Sequence, residues 1–213
     1  MEQRTEEAAG AGRLFTPVSS WKTLDEIPAA LDRAVIIGED QLFCYHRGVN
    51  LSELYNSVKD AWRSFSPPRG ASTINQQLAK NLYFSTSRSL LRKINEFFVA
   101  PRLDKNLGKR RILEIYLNII EWGDGIFGAE AAARHYFGKS IGLIDADEAA
   151  FLAAIIPAPL GRYNPVKHPK NVAARKVMIK QMIEYADISC LGLPAENTAR
   201  PEAADEQQPA PAH

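Results

Sequence analysis

Apolar residues recur at helical spacing through most of the chain. The clearest stripe lies in residues 51–65, where one side of a helix would carry Leu51, Leu54, Tyr55, Val58, Trp62 and Phe65. Similar spacing predicts helices at about 28–43, 73–83, 88–100, 109–121, 128–137, 145–156 and 169–186. The alternation that is typical of strands is scarce. The pattern therefore predicts a mainly α fold.

Local signals predict where several of these helices begin and end. Pro28 suits the first position of a helix, where its missing N–H leaves no bond unmade. Pro101 is expected to end or kink the helix over 88–100. Gly138 suits the position just past a helix, and Asp145 with Glu148 predicts a capping box.

The length of 213 residues allows one domain with a sizeable core. We expect a flexible leader over residues 1–12, one domain over 13–190, and a disordered tail over 191–213 that is rich in Pro, Ala, Glu and Gln. The sequence contains no apolar run long enough for a transmembrane helix, and its first residues do not form a secretory signal.

Charge and cysteine content narrow the functional classes. The formal net charge of +1 gives no support for nucleic-acid binding. Cys44 and Cys190 are far apart in sequence and lack metal-ligand spacing, so we expect two free thiols.

The first segment with candidate chemistry begins at Glu39 and Asp40. In a continuous helix, Glu39, Phe43 and His46 would share one face. A carboxylate beside apolar residues is a candidate general base, because loss of water raises its pKa towards neutral pH. Taken alone, a surface acidic pair is the simpler interpretation, and His46 alone indicates a structural hydrogen bond.

The second segment, residues 70–81, combines hydrogen-bonding side chains with one cation. A helix would place Thr73, Gln76, Gln77 and Lys80 on one side. Amides suit sugar hydroxyls and a lysine suits a phosphate. A surface helix capped by Ser72 or Thr73 is the alternative.

The third segment carries cations at Arg88, Arg92 and Lys93, followed by Glu96. Clustered cations are typical of a polyanion site such as pyrophosphate, although a solvated face with an Arg92–Glu96 pair fits as well. The segments at 109–118 and 148–165 look mainly architectural, with packing residues along their helices.

In order, these segments resemble glycosyltransferase family 51, the peptidoglycan glycosyltransferases. The family pattern Glu-Asp-x-x-Phe-x-x-His-x-Gly is met from Glu39 to Gly48, and Arg-Lys-x-x-Glu is met from Arg92 to Glu96. The Ser-Thr-Ile-x-Gln-Gln-x-x-Lys-Asn pattern is met from Ser72 to Asn81, and Ile-Leu-Glu-x-Tyr-Leu-Asn from Ile112 to Asn118. The run from Glu121 to Gly128 looks closest to the monofunctional branch.

The resemblance implies a lysozyme-like helical lobe with a smaller, membrane-associated jaw over about 49–71, which includes Trp62 and Phe65. It also implies that lipid II is polymerised into β-1,4 glycan strands with inversion and release of undecaprenyl pyrophosphate. Glu39 would be the general base and Glu96 the second catalytic acid. The substrate and pyrophosphate would be held by Lys80, Arg88, Arg92, Lys93, Ser72, Thr73, Gln76, Gln77 and His46.

The implied partners are lipid II, the growing glycan strand, the membrane surface, and other proteins of cell-wall synthesis and division, without nucleic acid. The implied location is the periplasmic face of the inner membrane. We expect no tightly bound cofactor; Mg²⁺ or Mn²⁺ is a candidate, with Asp40 as a candidate ligand.

The chain departs from the family pattern at Cys44, Asn50, Asn56, Ala71 and Asn75. These departures keep a non-catalytic scaffold that binds lipid II open as an alternative. A lysozyme-like hydrolase is a further alternative, but hydrolysis needs no cationic pyrophosphate site.

Overall fold

The computed structural model describes residues 20–64, 72–84 and 90–193. Its helices are α1 (Ala29–Glu39), α2 (Leu51–Ser64), α3 (Ile74–Tyr83), α4 (Leu90–Ile119), α5 (Ala129–Phe137), α6 (Ala146–Ile155) and α7 (Pro169–Met182). The predicted mainly α fold is confirmed. The predicted leader over 1–12 and most of the predicted tail lie outside the described residues, as do Phe65, Ala71 and Arg88, and the domain limits stay predictions.

The centre of the core is formed by helices with small residues on their surfaces. Helix α6 packs against both α1 and α7, and α3 packs against α4. In α6, Ala149, Ala150, Ala153 and Ala154 are fully buried, which lets the neighbouring helices approach closely. This packing holds the end of α1 between α6 and α7.

The predicted helix boundaries agree with the structure at three places. Thr73 caps α3 and forms a capping box with Gln76, and Asp145 does the same for α6 with Glu148. Gly138 follows α5 with a left-handed φ of 71°. Each of these signals acts within a few residues, so sequence alone reveals it.

The long helix α4 corrects one expectation. Pro101 lies inside the helix and does not end it, and the kink comes instead at Gly108, with φ 73° and ψ 162°. An interior proline costs a helix one hydrogen bond and crowds the preceding turn, but the dihedral angles given for α4 leave helical values at Gly108, where the positive φ favours glycine.

A two-stranded antiparallel ribbon follows α4, with β1 (Glu121–Gly123) paired to β2 (Ile126–Phe127). The periodicity of the sequence does not predict this ribbon, because strands this short do not establish an alternating pattern. Trp122 in β1 is fully buried, so the ribbon contributes to the core.

Helix α1 ends earlier than the sequence predicts. The expected shared helical face of Glu39, Phe43 and His46 is wrong, because the helix stops at Glu39 and Asp40 leaves helical geometry with φ −162° and ψ 73°. Residues 40–48 form a loop of turns, here called the Asp40–Gly48 loop. The carboxylate of Asp40 accepts a hydrogen bond from the backbone N–H of Ile74, and the chain turns away from the helix axis at this residue.

The expectation of two free thiols is also wrong, because Cys44 and Cys190 form a disulfide. Their Cα atoms are 5.4 Å apart, although 146 residues separate them in sequence. The contact arises because the 3₁₀ turn Ser189–Leu191 packs beside the Asp40–Gly48 loop, with Ile188 and Leu191 buried in the core. Sequence spacing does not reveal a contact of this kind.

Removing this disulfide with Cys44→Ser and Cys190→Ser together is expected to lower the free energy of unfolding by about 2–4 kcal/mol, because the unfolded chain gains conformational freedom. Urea unfolding of the oxidised wild type and the double variant measures the difference. A reductant should bring the wild type to the stability of the double variant and leave the variant unchanged. Equal stability of oxidised and reduced wild type would contradict this expectation.

Candidate active site

Glu39, the last residue of α1, presents its carboxylate at a cleft of about 380 Å³. The cleft is lined by the end of α1, the Asp40–Gly48 loop, the start of α2 and the residues before α3, including Asn50, Glu53, Ser72 and Thr73. Only 6% of the Glu39 side chain is exposed. The carboxylate is therefore largely shielded from water at the edge of a space large enough for a ligand.

Two neighbours hold the carboxylate of Glu39 from opposite helices. Gln77 in α3 donates from Nε2 to Oε2 at 2.8 Å, and Arg175 in α7 donates from Nη2 to Oε1 at 2.9 Å. The hydroxyl of Tyr116 in α4 donates to Oε1 of Gln77 at 2.9 Å, which fixes the orientation of the amide. Each carboxylate oxygen thus has its own donor.

Burial raises the pKa of Glu39 above its usual range, and the negative charge of Asp40 raises it further. Hydrogen bonds from Gln77 and Arg175, together with the charge of Arg175, oppose this rise. A carboxylate whose pKa is raised towards neutral pH is a better proton acceptor than a solvated one, as long as it stays ionised at the working pH.

Asp40 fixes the shape of the loop that follows Glu39. Its Oδ2 accepts from the backbone N–H of Ile74, at the start of α3, at 2.9 Å. Nε2 of His46 lies 2.9 Å from the same carboxylate oxygen, and both side chains are buried. The carboxylate also faces the positive end of the α3 dipole. Asp40 and His46 therefore join the loop to α3.

Gly48 closes this loop at a point where only glycine fits. Its φ is +94°, and an added Cβ would lie 2.6 Å from the backbone C and O atoms of Ala100. Its carbonyl accepts from the hydroxyl of Thr73 at 2.7 Å. The loop is thus pressed against α4 at one end and bonded to the start of α3.

A second cluster surrounds the buried Glu96 on α4. Arg92 Nε lies 3.0 Å from one oxygen of Glu96, and Lys93 Nζ lies 3.0 Å from the other. Lys93 also donates to the hydroxyl of Ser72 at 2.7 Å. Glu96 therefore holds two cations together and joins them to the segment before α3.

Lys80 on α3 connects the two acidic groups electrostatically. Partial removal from water lowers the pKa of its ammonium, and the nearby charges of Arg92 and Lys93 lower it further, while Glu96 and Glu39 oppose this. The side chain as a whole is exposed. The charge of Lys80 therefore interacts with both Glu39 and the Glu96 cluster.

The structure brings most of the predicted site residues to this region, but several are engaged with one another. Thr73 and Gln76 cap α3 mutually, with Gln76 N donating to Thr73 Oγ1 at 3.1 Å and Thr73 N donating to Gln76 Oε1 at 3.0 Å. His46 contacts Asp40, and Gln77 contacts Glu39. Their roles towards a substrate, and the role of Arg88 outside the described residues, stay predictions.

Two residues at this site did not emerge from the sequence. For the helix that carries Arg175 the sequence indicates only an amphipathic pattern, and for the apolar stripe that carries Tyr116 it indicates packing. A single arginine on a helix does not form a recognisable motif. A tyrosine within an apolar stripe has the pattern of a core residue. Only tertiary contact with Glu39 and Gln77 marks them.

Two departures from the family pattern have structural explanations. Asn50 accepts at Oδ1 from the backbone N–H of Glu53 at 3.0 Å, which caps the start of α2 as an aspartate would. Asn75 is fully buried and donates from Nδ2 to Asp104 at 3.1 Å. Nothing in the structure explains the departure at Asn56, which is exposed.

A resident metal does not fit Asp40 as the residue stands. Its carboxylate already accepts from Ile74 N and contacts the His46 ring. Within the described ranges, no three His, Cys, Asp or Glu side chains come together as a metal site would require. The Asp40 carboxylate is therefore engaged in holding the loop rather than free to bind a metal ion.

Similarity to known proteins supports a functional interpretation of this geometry. Residues 10–183 match the family model described as Transglycosylase. The biosynthetic peptidoglycan transglycosylase of Methylobacillus flagellatus is 40% identical over 168 residues, which are 79% of this chain and 73% of that protein. The protein of the same name from Brucella suis is 44% identical over 173 residues, 80% of this chain and 76% of its own.

A longer relative is similar over a larger share of the chain. Penicillin-binding protein 1A of Aquifex aeolicus is 37% identical over 192 residues, which are 88% of this chain but 26% of that protein. The family match over residues 10–183 includes both the residues around Glu39 and the cluster around Glu96. The chain belongs to the transglycosylase family, and it is an enzyme of peptidoglycan synthesis that transfers glycosyl groups.

Proposed function

We propose that the enzyme polymerises lipid II into β-1,4 glycan strands and releases undecaprenyl pyrophosphate. The proposal rests on one arrangement. Glu39, a shielded carboxylate of raised pKa, lies at the cleft, and the cations around Glu96 are joined to the cleft lining where Lys93 donates to Ser72. Transfer from a pyrophosphate donor needs a base for the acceptor and positive charge for the leaving group. Hydrolysis needs no such cations.

In the proposed step, Glu39 takes the proton of the 4-hydroxyl on the GlcNAc of lipid II. The resulting oxygen attacks the anomeric carbon of the MurNAc at the end of the growing strand. The new C–O bond forms as the bond to pyrophosphate breaks, the pyrophosphate leaves with the electron pair, and the configuration inverts. Glu39 then releases its proton to water.

The leaving pyrophosphate is assigned to Lys80, Arg92 and Lys93, with Arg88 as a further candidate. Arg92 and Lys93 share the carboxylate of Glu96, so their positions are set before substrate arrives. Glu96 acts in this scheme by orienting these cations or by assisting departure of the pyrophosphate.

Polar side chains around the cleft are proposed to bind the sugars. Ser72 and Thr73 line the cleft, and Gln77 contacts Glu39 directly. Gln76 and His46 support the backbone behind it through the α3 cap and Asp40. These two residues would then influence binding through the shape of the loop.

Helix α2 is proposed to lie on the membrane surface as part of the jaw. Its side chains at Leu51, Tyr55 and Trp62 are 64%, 66% and 83% exposed, and they share one side of the helix with Leu54. Lys59 and Arg63 are balanced by Glu53 and Asp60, so the proposal rests on the exposed apolar side chains. An amphipathic helix of this kind binds at the interface of a bilayer. None of the helices in the described parts of the chain combines the length and the hydropathy of a transmembrane span.

The disulfide supports action outside the cytoplasm. Disulfides persist in oxidising compartments such as the bacterial periplasm and are rare where thiols are kept reduced. The Cys44–Cys190 pair joins the loop beside Glu39 to the last described turn. A location at the periplasmic face of the inner membrane is therefore consistent with the covalent structure.

The proposal is tested by incubating the purified, oxidised protein with labelled lipid II in detergent and separating the products by size. We expect a ladder of long glycan chains. One molecule of undecaprenyl pyrophosphate should be released for each glycosidic bond that forms. Both products are measured, because the pyrophosphate distinguishes transfer from hydrolysis of finished glycan.

Two other results would favour the alternatives. Intact lipid II binding without polymer would indicate a scaffold that binds the substrate without reaction. Release of soluble fragments from finished peptidoglycan would indicate a hydrolase.

A further inference from the structure

Arg175 lies near the middle of α7 and reaches the end of α1 across a separation of 136 residues. Its Nη2 contacts Oε1 of Glu39 at 2.9 Å and donates to the carbonyl of Gly38. Its guanidinium carbon lies 5.4 Å from the centre of the Tyr163 ring. The side chain is 17% exposed, so most of the guanidinium is withdrawn from water.

The two donors to Glu39 have different consequences. Gln77 is neutral and orients the carboxylate through Oε2, whereas Arg175 brings a full positive charge to Oε1. A cation within about 4–6 Å favours the ionised form of a carboxyl group. Arg175 therefore opposes the effect of burial on Glu39, which favours the neutral form.

We propose that Arg175 is a positioning residue that keeps the Glu39 carboxylate ionised and directed into the cleft for glycosyl transfer. The inference rests on the proposed role of Glu39 as general base. A base that is protonated before the acceptor arrives cannot accept its proton. Tyr163 assists by supporting the guanidinium through its ring.

A purely structural role is the competing explanation. Arg175 bonds the carbonyl of Gly38 in the last turn of α1, where a cation stabilises the negative end of a helix. Loss of that contact would weaken the packing of α7 on α1 and lower activity at every pH. A pH profile separates the two, because only a change in Glu39 ionisation moves its position along the pH axis.

Other charged or titratable groups surround Glu39. They are Asp40 from the loop, Lys80 from α3, Tyr116 from α4 and Glu53 from the start of α2, with His46 paired to Asp40. Of these groups only Tyr116 is influenced by Arg175, and burial holds the pKa of its phenol so far above the ordinary value that it stays neutral over the pH range of the test. A shift in the profile of such a variant is therefore assigned to the lost guanidinium.

The test measures polymerisation of labelled lipid II from pH 5 to pH 9 by the oxidised wild type, Arg175→Gln and Arg175→Lys. In Arg175→Gln, the rise of kcat with pH is expected to move to higher pH by about one unit or more, because a neighbouring arginine stabilises the ionised form of a carboxyl group by this amount. At higher pH the rate should recover to within a few fold of wild type, with KM changed less than kcat at low pH. Arg175→Lys keeps the positive charge, so its kcat should rise at a pH close to that of the wild type.

The matched control is Lys176→Gln on the same helix. Lys176 binds Asp147 and joins α7 to α6 without contact to Glu39. Its substitution should leave the position of the pH profile unchanged. If circular dichroism shows that Arg175→Gln does not fold, Tyr163→Leu replaces it, with a smaller shift in the same direction.

The outcomes separate this inference from the proposed function. A profile that coincides with wild type in Arg175→Gln, or in Tyr163→Leu where that variant is used, overturns the role of Arg175 and leaves Glu39 as base. Undiminished polymerisation by Glu39→Gln overturns the base itself, and the inference falls with it. A shifted profile in Arg175→Gln with restoration by Arg175→Lys supports both.

Discussion

Replacing Glu39 with Gln is expected to lower the rate of glycan polymerisation by about 10²–10⁴-fold, the usual contribution of a positioned general base. The amide has nearly the shape of the carboxylate but cannot accept the acceptor's proton. Initial rates of polymer formation from labelled lipid II measure the effect, and binding of lipid II is measured separately. Binding should change little, because the main contacts to pyrophosphate are assigned elsewhere.

The matched control for this substitution lies in the same cleft. Glu53→Gln makes the same chemical change at an exposed residue that lines the cleft. It should leave the rate within a few fold of wild type. The melting temperature of Glu39→Gln must also be compared, since Gln77 and Arg175 both donate to the carboxylate and one of them would face an amide NH₂. A well-folded Glu39→Gln enzyme with a rate within tenfold of wild type would contradict the assignment of the base.

Gly48→Ala is expected to lower the free energy of unfolding by about 2–5 kcal/mol, from a strained positive φ and an overpacked contact. The new methyl group would lie 2.6 Å from backbone atoms of Ala100, and backbone cannot move aside as a side chain can. Relief requires the loop to shift away from α4. Polymerisation should then fall as well, because the same loop follows Glu39 directly.

Gly161→Ala provides the comparison for this prediction. An added Cβ at residue 161 meets nothing nearer than Ala158 at 3.8 Å, an ordinary contact. Urea unfolding and polymerisation should both stay near wild type in that variant. If Gly48→Ala unfolds at the same urea concentration as Gly161→Ala, the close packing of the loop against α4 is not essential.

Features that depend on neighbouring residues were predicted well from sequence. The caps at Thr73 and Asp145 and the glycine after α5 each depend on geometry within one helical turn. The motif order also predicted that the segments of Glu39 and Gln77 belong to one site, and the structure places these two side chains in contact.

Features that depend on distant residues were not predicted. The end of α1 at Glu39 follows from bonds between Asp40 and the start of α3, which no helical pattern encodes. The partner of Cys44 is 146 residues away, and Arg175 reaches Glu39 over a similar distance in sequence. Only the packing of α7 and the following turns against α1 brings these residues together.

The disulfide has a consequence for the order in which the enzyme is completed. Cys190 is made long after Cys44, so the bond closes only when nearly the whole domain has been synthesised and its last turn has packed. Until then the loop beside Glu39 is held by non-covalent contacts alone. Where the chain folds in an oxidising compartment, the covalent constraint on the loop beside Glu39 is thus added last, after the packing that brings the two cysteines together.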